Sequence, residues 1–492
     1  MKINPLTAHD FYKADHAAQY PVGTTEVYSN FTARSAKWAN VLPDFDNKIV
    51  FFGLQFVIKD YLQDMWVEGF FDKDIDDVLP AYKRRLDNAL GKDSVDVSRI
   101  AALHQLGYLP LEVKSLPEGS RVPVGVPVLT VVNTHPDFFW LTNFIETALS
   151  ALLWKPITNA TVAYEYRRLM EEYAAATGSS TEGIKFQCHD FSMRGMSGLH
   201  DAAMSGAAHL ISFAGTDTIP AIDMLELYYN ADSDKELVGA SVPATEHAVM
   251  CMGEELGEKD TYLRLINDVY PEGIVSIVSD TRDFWGVLTE LLPEIKSDIM
   301  ARNGKLVIRP DSGDPVDIIC GNRKAKANTP EFYGAIELLW KEFGGTINDA
   351  GFKVLDEHIG LIYGDSITLE RASEILYKLS HAGFAASNIV FGIGAFTYQF
   401  NTRDTFGFAM KATSGVVEGE RRNFMKAPKT DIKKTSAKGL IAVRKVHGEY
   451  TMFDNQSEED VLNTELITRF YDGQIINETS LNTIRARLNE NF

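Results

Sequence analysis

The sequence predicts an α/β protein with an irregular (β/α) barrel core and a second, mixed α+β domain built from the N-terminal and C-terminal segments. Two observations carry this. From about residue 155, short apolar runs alternate with helical stretches, the pattern of βαβ units and a parallel sheet. Charged residues and glycines then fall just after most of those apolar runs, where parallel α/β proteins hold their ligands.

The first segment, 1–154, mixes classes. "TEVYSNFTAR" (25–34) alternates like a strand, and "FGLQFVIKDYLQDMW" (52–66) reads as an amphipathic helix. "LPLEVKSLPEGSRVPVGVPVLTVVN" (109–133) is β-branched and rich in Pro and Gly, so it predicts short strands joined by turns. "FFWLTNFIETALSALLW" (138–154) carries Asn143 and Glu146 and is too short to span a bilayer; it predicts a buried helix.

The second segment, 155–404, carries the repeating units and is the predicted catalytic domain. Its apolar runs are "IKFQCHD", "HLISFAGTD", "ELVGASVP", "GIVSIVSD", "KLVIRPDSGD", "HIGLIYGDS" and "NIVFGIG". Helices are predicted after them over 196–209, 218–229, 246–256, 282–297, 330–342 and 367–380. The third segment, 405–492, is predicted to pack with the N-terminal domain. It is β-rich over 406–453 around a basic loop, 418–439, which also reads as an ordinary solvated loop. No repeat at solenoid spacing is present.

The chain has 492 residues, 45% hydrophobic and 24% charged, the composition of a globular protein. Its 68 acidic and 48 basic residues leave a formal charge of −20. Such a chain is a poor general binder of nucleic acid or anionic membrane, so neither partner is expected. Any anionic ligand must be held by a local basic cluster. The three cysteines, Cys188, Cys251 and Cys320, form neither a CxxC pair nor a disulfide framework. With no apolar signal core at the start, a cytoplasmic location is expected.

The residues after the runs are Asp190, Asp217, Glu246–His247, Asp280, Arg309–Asp311, Gly364–Asp365, Gly392 and Gly394. Arg194 follows Asp190 closely, and Arg403 and Lys411 lie beyond the last unit. If they converge on one rim, arginines and lysines beside glycine turns favour a phosphorylated ligand. Asp280, Asp311 and Asp365 would suit Mg²⁺, which takes one or two carboxylates together with ligand phosphates. No Walker loop or Rossmann fingerprint is present. Within "SVPATEHAVM", Glu246 and His247 on their own read as an ordinary helix entry.

Taken together, "CHDFSMRGMSG", "FAGTDT", "SVPATEH", "VSDTRDFW", "IRPDSGDP", "YGDS" and "FGIGAFTYQFNTRDTFGFAMK" resemble the nicotinamide phosphoribosyltransferase family in order and spacing. "HDFYKADHAAQYP", "NFTAR" and the stretch from "PEG" to "NFIET" extend the resemblance over nearly the whole chain. The resemblance implies a homodimer with an α/β barrel core and active sites shared at the dimer interface. It implies synthesis of nicotinamide mononucleotide and pyrophosphate from nicotinamide and phosphoribosyl pyrophosphate with Mg²⁺. It also implies ATP hydrolysis coupled through a phosphorylated histidine.

By resemblance, Phe191 and the partner subunit's Tyr12 stack on the pyridine ring, and Asp217 receives the carboxamide. His247 is the phosphorylated histidine, with Glu246 beside it; on chemical grounds Glu246, Asp280 or Asp311 would hold its ring in the reactive tautomer. Arg194, Arg309 and Asp311 lie around the ribose and phosphates, and Gly364, Asp365, Gly394 and Ala395 where the nucleotide phosphate and ribose are held. Arg34, Arg403, Lys411, Lys426 and Lys434 face pyrophosphate or ATP phosphates, some across the dimer. The sequence departs from the family pattern at Ala395, where other members carry Gly, at Ala409, where a Ser stands, and at Asp10–Phe11, in place of Asp-Ser.

The chemistry suits those residues. Phosphoribosyl transfer breaks a C1–O bond as the pyridine nitrogen attacks, so it calls for cations at the leaving group and walls that align the ring. It needs no strong base, because the ring nitrogen is free. A buried Asp217 accepts from an amide and repels a carboxylate, which separates nicotinamide from nicotinate and quinolinate. Asp217 also reads as a helix N-cap. The alternatives are a nicotinate phosphoribosyltransferase and a non-enzymatic partner protein of the same fold.

Overall fold

The computed structural model describes residues 3–253, 257–426 and 436–492. Its centre is a six-stranded parallel sheet. In spatial order the strands are Gly215–Thr216, Cys188–Asp190, Ile389–Ile393, Ile359–Tyr363, Asn303–Arg309 and Glu272–Val278. The register brings the strand ends level: Asp190 lies opposite both Thr216 and Ile393, and Val278 lies opposite Arg309.

The two edges of this sheet meet through residues 240–245. Ala240 N–H donates to Ala214 O and Thr216 N–H to Ala240 O. On the other side, Ser276 N–H donates to Pro243 O and Thr245 N–H to Ser276 O. The curled sheet therefore closes into an irregular barrel, as the sequence predicts. The expected strand in "ELVGASVP" is reduced to these two isolated bridges. Pro243 has no N–H to give to a ladder, so regular pairing stops there. The expected strand in "HLISFAGTD" shortens to Gly215–Thr216, because His209 and Leu210 end the preceding helix.

The helices Leu199–Leu210, Ile219–Tyr229 and Leu369–His381 form close to where they are predicted. The 330–342 helix is split at Gly334, whose φ of +82° a residue with a Cβ rarely adopts. A short helix, Pro315–Cys320, was not predicted. Its Asp314 caps it by accepting from Val316 N–H and Asp317 N–H.

The second domain is built on a seven-stranded antiparallel sheet that interleaves both chain ends. The order is Glu420–Asn423, Ala409–Val417, Thr24–Thr32, Pro127–Asn133, Leu111–Ser115, Ile467–Tyr471 and Gln474–Ile475. The two domains share one helix, Glu146–Thr177, which runs through the predicted boundary at 154/155. Leu149, Leu153, Ile157 and Tyr164 pack in the core of the mixed domain, and Tyr166, Leu169 and Met170 in the core of the barrel. Among the described residues no helix is long and apolar enough to cross a membrane.

The last helix, Leu481–Asn489, braces the foot of the barrel. Arg485 donates to the carbonyls of Leu210 (2.6 Å), Leu237 (2.6 Å) and Val238 (2.7 Å), just before the Gly215–Thr216 strand and the closing segment. Burial pulls its guanidinium down to about 10. Arg485→Met should leave these carbonyls without their donor and cost about 3 kcal/mol. Urea unfolding monitored by intrinsic fluorescence measures this, and a loss below about 0.5 kcal/mol would show that the clamp is not structural.

Candidate active site

The level strand ends open on a cavity of about 920 Å³. Phe191, Arg194, Asp217, Glu246, His247, Arg309, Asp311, Gly364, Asp365, Gly394 and Ala395 all line it. Nine of these were expected at a shared rim and two, Phe191 and Ala395, from the resemblance; Asp190, Gly392 and Asp280, the last a candidate for Mg²⁺, do not line the cavity.

Phe191 leaves the Cys188–Asp190 strand with its N–H on Ile393 O at 2.9 Å. Its ring lies across the neighbouring strand ends, where glycines leave room for it. A Cβ at Gly364 would stand 2.9 Å from the ring, and one at Gly392 would overlap it. Asp217 is placed by its N–H on Asp190 O at 3.0 Å. Its Oδ1 meets His189 Nε2 at 2.9 Å and accepts from Ser241 Oγ at 2.6 Å. Burial would raise its pKa, but the hydrogen bonds from His189 and Ser241 outweigh it and hold the carboxyl below its ordinary value. Asp217 is therefore an anion at neutral pH. Its Oδ2 has no protein donor among the described residues.

His247 opens a short helix, His247–Met252, and its side chain is about half exposed. Its Nε2 lies 3.2 Å from Asp280 Oδ1. Asp280 is buried, and its Oδ2 accepts from Asp311 N–H (2.8 Å) and Ser312 Oγ (2.5 Å). A carboxylate only accepts, so in the neutral ring that faces it Nε2 is the nitrogen with the hydrogen and Nδ1 the one with the lone pair. Asp280, among the candidate carboxylates, is the one that orients the ring.

Arg309 donates to Thr245 O, and its buried Nε has no partner among the described residues. Burial lowers its pKa, and the charges of Asp311, Asp217 and Asp280 oppose that fall. The pKa of Asp311 is raised, first by burial and then by Asp280 and Asp365, with Arg309 opposing. No group of three His, Cys, Asp or Glu side chains is arranged to hold a metal among the described residues. Asp311 and Asp365 facing one cavity nevertheless fit Mg²⁺ shared with ligand phosphates, which needs only one or two carboxylates.

The remaining candidates lie elsewhere. Tyr12, Arg34, Arg403, Lys411 and Lys426 do not line the barrel cavity. Lys411 is depressed by burial and by Arg34, Lys13 and Lys426, with Glu146 opposing, so these cations share one region of the mixed domain. Arg34 is lowered by burial and by Arg403. Tyr12 stands 60% exposed beside Phe11 at 53%. Lys434 lies outside the described residues.

A model of the nicotinate phosphoribosyltransferase family matches residues 186–469, and one of the nicotinamide phosphoribosyltransferase N-terminal domain matches 4–111. A nicotinamide phosphoribosyltransferase of Acinetobacter baylyi is 57% identical over 99% of this chain and 97% of its own. The chain belongs to the nicotinamide phosphoribosyltransferase family. A Mycoplasma pneumoniae protein of the same name is 35% identical over 89% of this chain and 95% of its own. Among solved structures, a nicotinate-nucleotide pyrophosphorylase of Pyrococcus furiosus shares the fold. Its TM-score is 0.58 at 16% identity, over 99% of this chain and 95% of that one. The human nicotinic acid phosphoribosyltransferase has a TM-score of 0.51 at 15% identity, over 98% and 93%.

Two residues that hold this family's candidate site were missed in the sequence. His189 and Ser241 fix Asp217, and both stand inside the motifs "CHDF" and "SVPATEH", but neither is itself at a strand end facing an obvious phosphate. The departure at Ala395 also has a structural counterpart. A Cβ at Gly195 would collide with Ala395 Cβ, so the methyl occupies space that Gly195 leaves open. Gly195→Ala should overpack this contact and cost about 1–3 kcal/mol. The double variant Gly195→Ala/Ala395→Gly should recover most of that loss in denaturant unfolding; no recovery would mean that the two positions do not pack as one unit.

Proposed function

We infer that the chain is a nicotinamide phosphoribosyltransferase, forming nicotinamide mononucleotide and pyrophosphate from nicotinamide and phosphoribosyl pyrophosphate. The observation that carries this reading is the ionised Asp217, with Oδ1 held by His189 and Ser241 and Oδ2 left for a ligand, on the same rim as the Phe191 ring and Arg309. A carboxamide N–H₂ supplies the donor that Oδ2 lacks. A nicotinate carboxylate would set like charges in contact; the Asp217 side chain is 45% exposed rather than buried as expected, so solvent screens part of that repulsion.

The chain's own groups divide the work. Phe191 gives the pyridine ring a face, and Asp217 fixes the ring's rotation so that the nitrogen points toward C1 of the ribose. Arg309 and Arg194 sit where negative charge grows on the leaving pyrophosphate. Gly364, Asp365, Gly394 and Ala395 form the floor for ribose and nucleotide phosphate. Mg²⁺ held by Asp311 and Asp365 with the ligand's phosphates would stabilise the leaving charge.

ATP coupling belongs to the same reading. His247, with Nε2–H on Asp280, presents Nδ1 as a nucleophile toward a terminal phosphate. The N–P bond forms as the bond to ADP breaks, and Asp280 stabilises the resulting positive ring. A homodimer is proposed because Tyr12 and the cations Arg34, Arg403, Lys411 and Lys426 lie outside the barrel cavity. A second copy would bring the exposed Tyr12 to the open face of the ring and its basic region to the phosphates, giving shared sites.

Incubation with phosphoribosyl pyrophosphate, Mg²⁺ and either nicotinamide or nicotinate should give mononucleotide chiefly from nicotinamide. Asp217→Asn should lower kcat/KM for nicotinamide by about 10–100-fold and raise the relative use of nicotinate. An unchanged preference in that variant would remove Asp217 as the amide reader. ATP labelled in its terminal phosphate should transfer acid-labile, base-stable label to the native chain and none to His247→Ala. Label on the His247→Ala chain would sink the phosphohistidine.

A further inference from the structure

We propose that Lys155 is a positioning residue for the phosphate-holding side of the cavity. It lies on the long helix shared by the two domains, and its side chain is only 8% exposed. Its Nζ is 2.6 Å from Asp201 Oδ2 and also donates to Gln399 Oε1. Asp201 Oδ2 accepts in turn from Ser197 N–H at 2.9 Å. Gln399 Nε2 donates to Ser197 Oγ at 2.5 Å, and Gln399 N–H to Ala395 O at 2.8 Å.

One buried ammonium thus ties together two segments that are far apart in sequence. The first carries Arg194 and Gly195 and the second carries Gly394 and Ala395, all of which line the cavity. The two segments touch at the Gly195–Ala395 contact on the cavity side and are pinned behind it at Ser197–Gln399. Phe191 and Asp217 are set instead by backbone hydrogen bonds to Ile393 O and Asp190 O. Lys155 reaches no cavity-lining residue directly, so its effect passes through Asp201 and Gln399. A hydrogen-bonded ion pair in a poorly solvated position keeps its geometry better than two exposed loops would alone.

The assignment of this side to the phosphates rests on the proposed reaction. The tether itself is geometric, and the test separates the two. In Lys155→Met, KM for phosphoribosyl pyrophosphate should rise about tenfold or more, with KM for nicotinamide within about twofold. Tryptic cleavage after Arg194, read by mass spectrometry, should accelerate about fivefold while other exposed sites keep their rates. Lys155→Arg should stay near native on both readouts. Because Lys155→Met leaves Asp201 buried without its partner, Lys155→Met/Asp201→Asn is measured beside it and should show the same KM split in a well-folded chain. Equal rises in both KM values, or unchanged cleavage with unchanged KM values, would overturn the tether. A native chain that makes no mononucleotide, together with faster cleavage in the variants, would overturn the reaction and support the tether.

Discussion

Closure of the barrel through residues 240–245 is the constraint on which the site depends. Four backbone hydrogen bonds join this short segment to the Gly215–Thr216 strand on one side and the Glu272–Val278 strand on the other. The same residues then serve the cavity. Ser241 holds Asp217, Thr245 O receives Arg309, and Thr245 Oγ1 accepts from Val278 N–H at 2.9 Å. His247 begins its helix two residues later, opposite Asp280. The segment ends as Glu246 caps the helix that begins at His247, and these two residues line the mouth. Pro243 and the two isolated bridges make the irregularity that the site uses.

The rim that results is electrostatically crowded. Asp217, Asp280, Asp311 and Asp365 lie near one another in a chain already strongly acidic, with Arg309 and Arg194 among them. Each carboxylate has a different environment, and the environments set different roles. Asp217 is kept ionised by two donors, Asp280 meets His247 through Oδ1 and holds Asp311 N–H and Ser312 Oγ through Oδ2, and Asp311 is pushed upward by burial and by its neighbours. A polyanion entering such a rim must be met by Arg309, Arg194 and any cation that the carboxylates share with it.

The fold class and the rim were readable because parallel strands end in polar residues at regular intervals, so Asp217, His247, Arg309 and Asp365 announced themselves by position. Partnerships were not readable. His189 faces Asp217 because two strands pair in a particular register, and nothing in the spacing of "CHD" and "GTD" states that register. Asp280 and Asp311 were indistinguishable in sequence, and only the hydrogen bond to His247 tells them apart. Lys155 gave no signal in the sequence, because its place shows only in the packing of Asp201 and Gln399 around it. Tyr12 and the basic residues of the mixed domain carry no sign in the chain of which cavity they serve, and within one copy none of them lines the barrel cavity.

On the proposed reading Phe191 and Asp217 orient nicotinamide at the barrel mouth, with the phosphates toward Arg309 and Ala395. A crystal structure of the protein with nicotinamide and phosphoribosyl pyrophosphate tests this most directly. The pyridine ring should lie on the Phe191 face, the carboxamide nitrogen within hydrogen-bonding distance of Asp217 Oδ2, and the ring nitrogen should point at C1 of the ribose. A ring bound away from Phe191, or a carboxamide that leaves Asp217 Oδ2 without a donor, would contradict it.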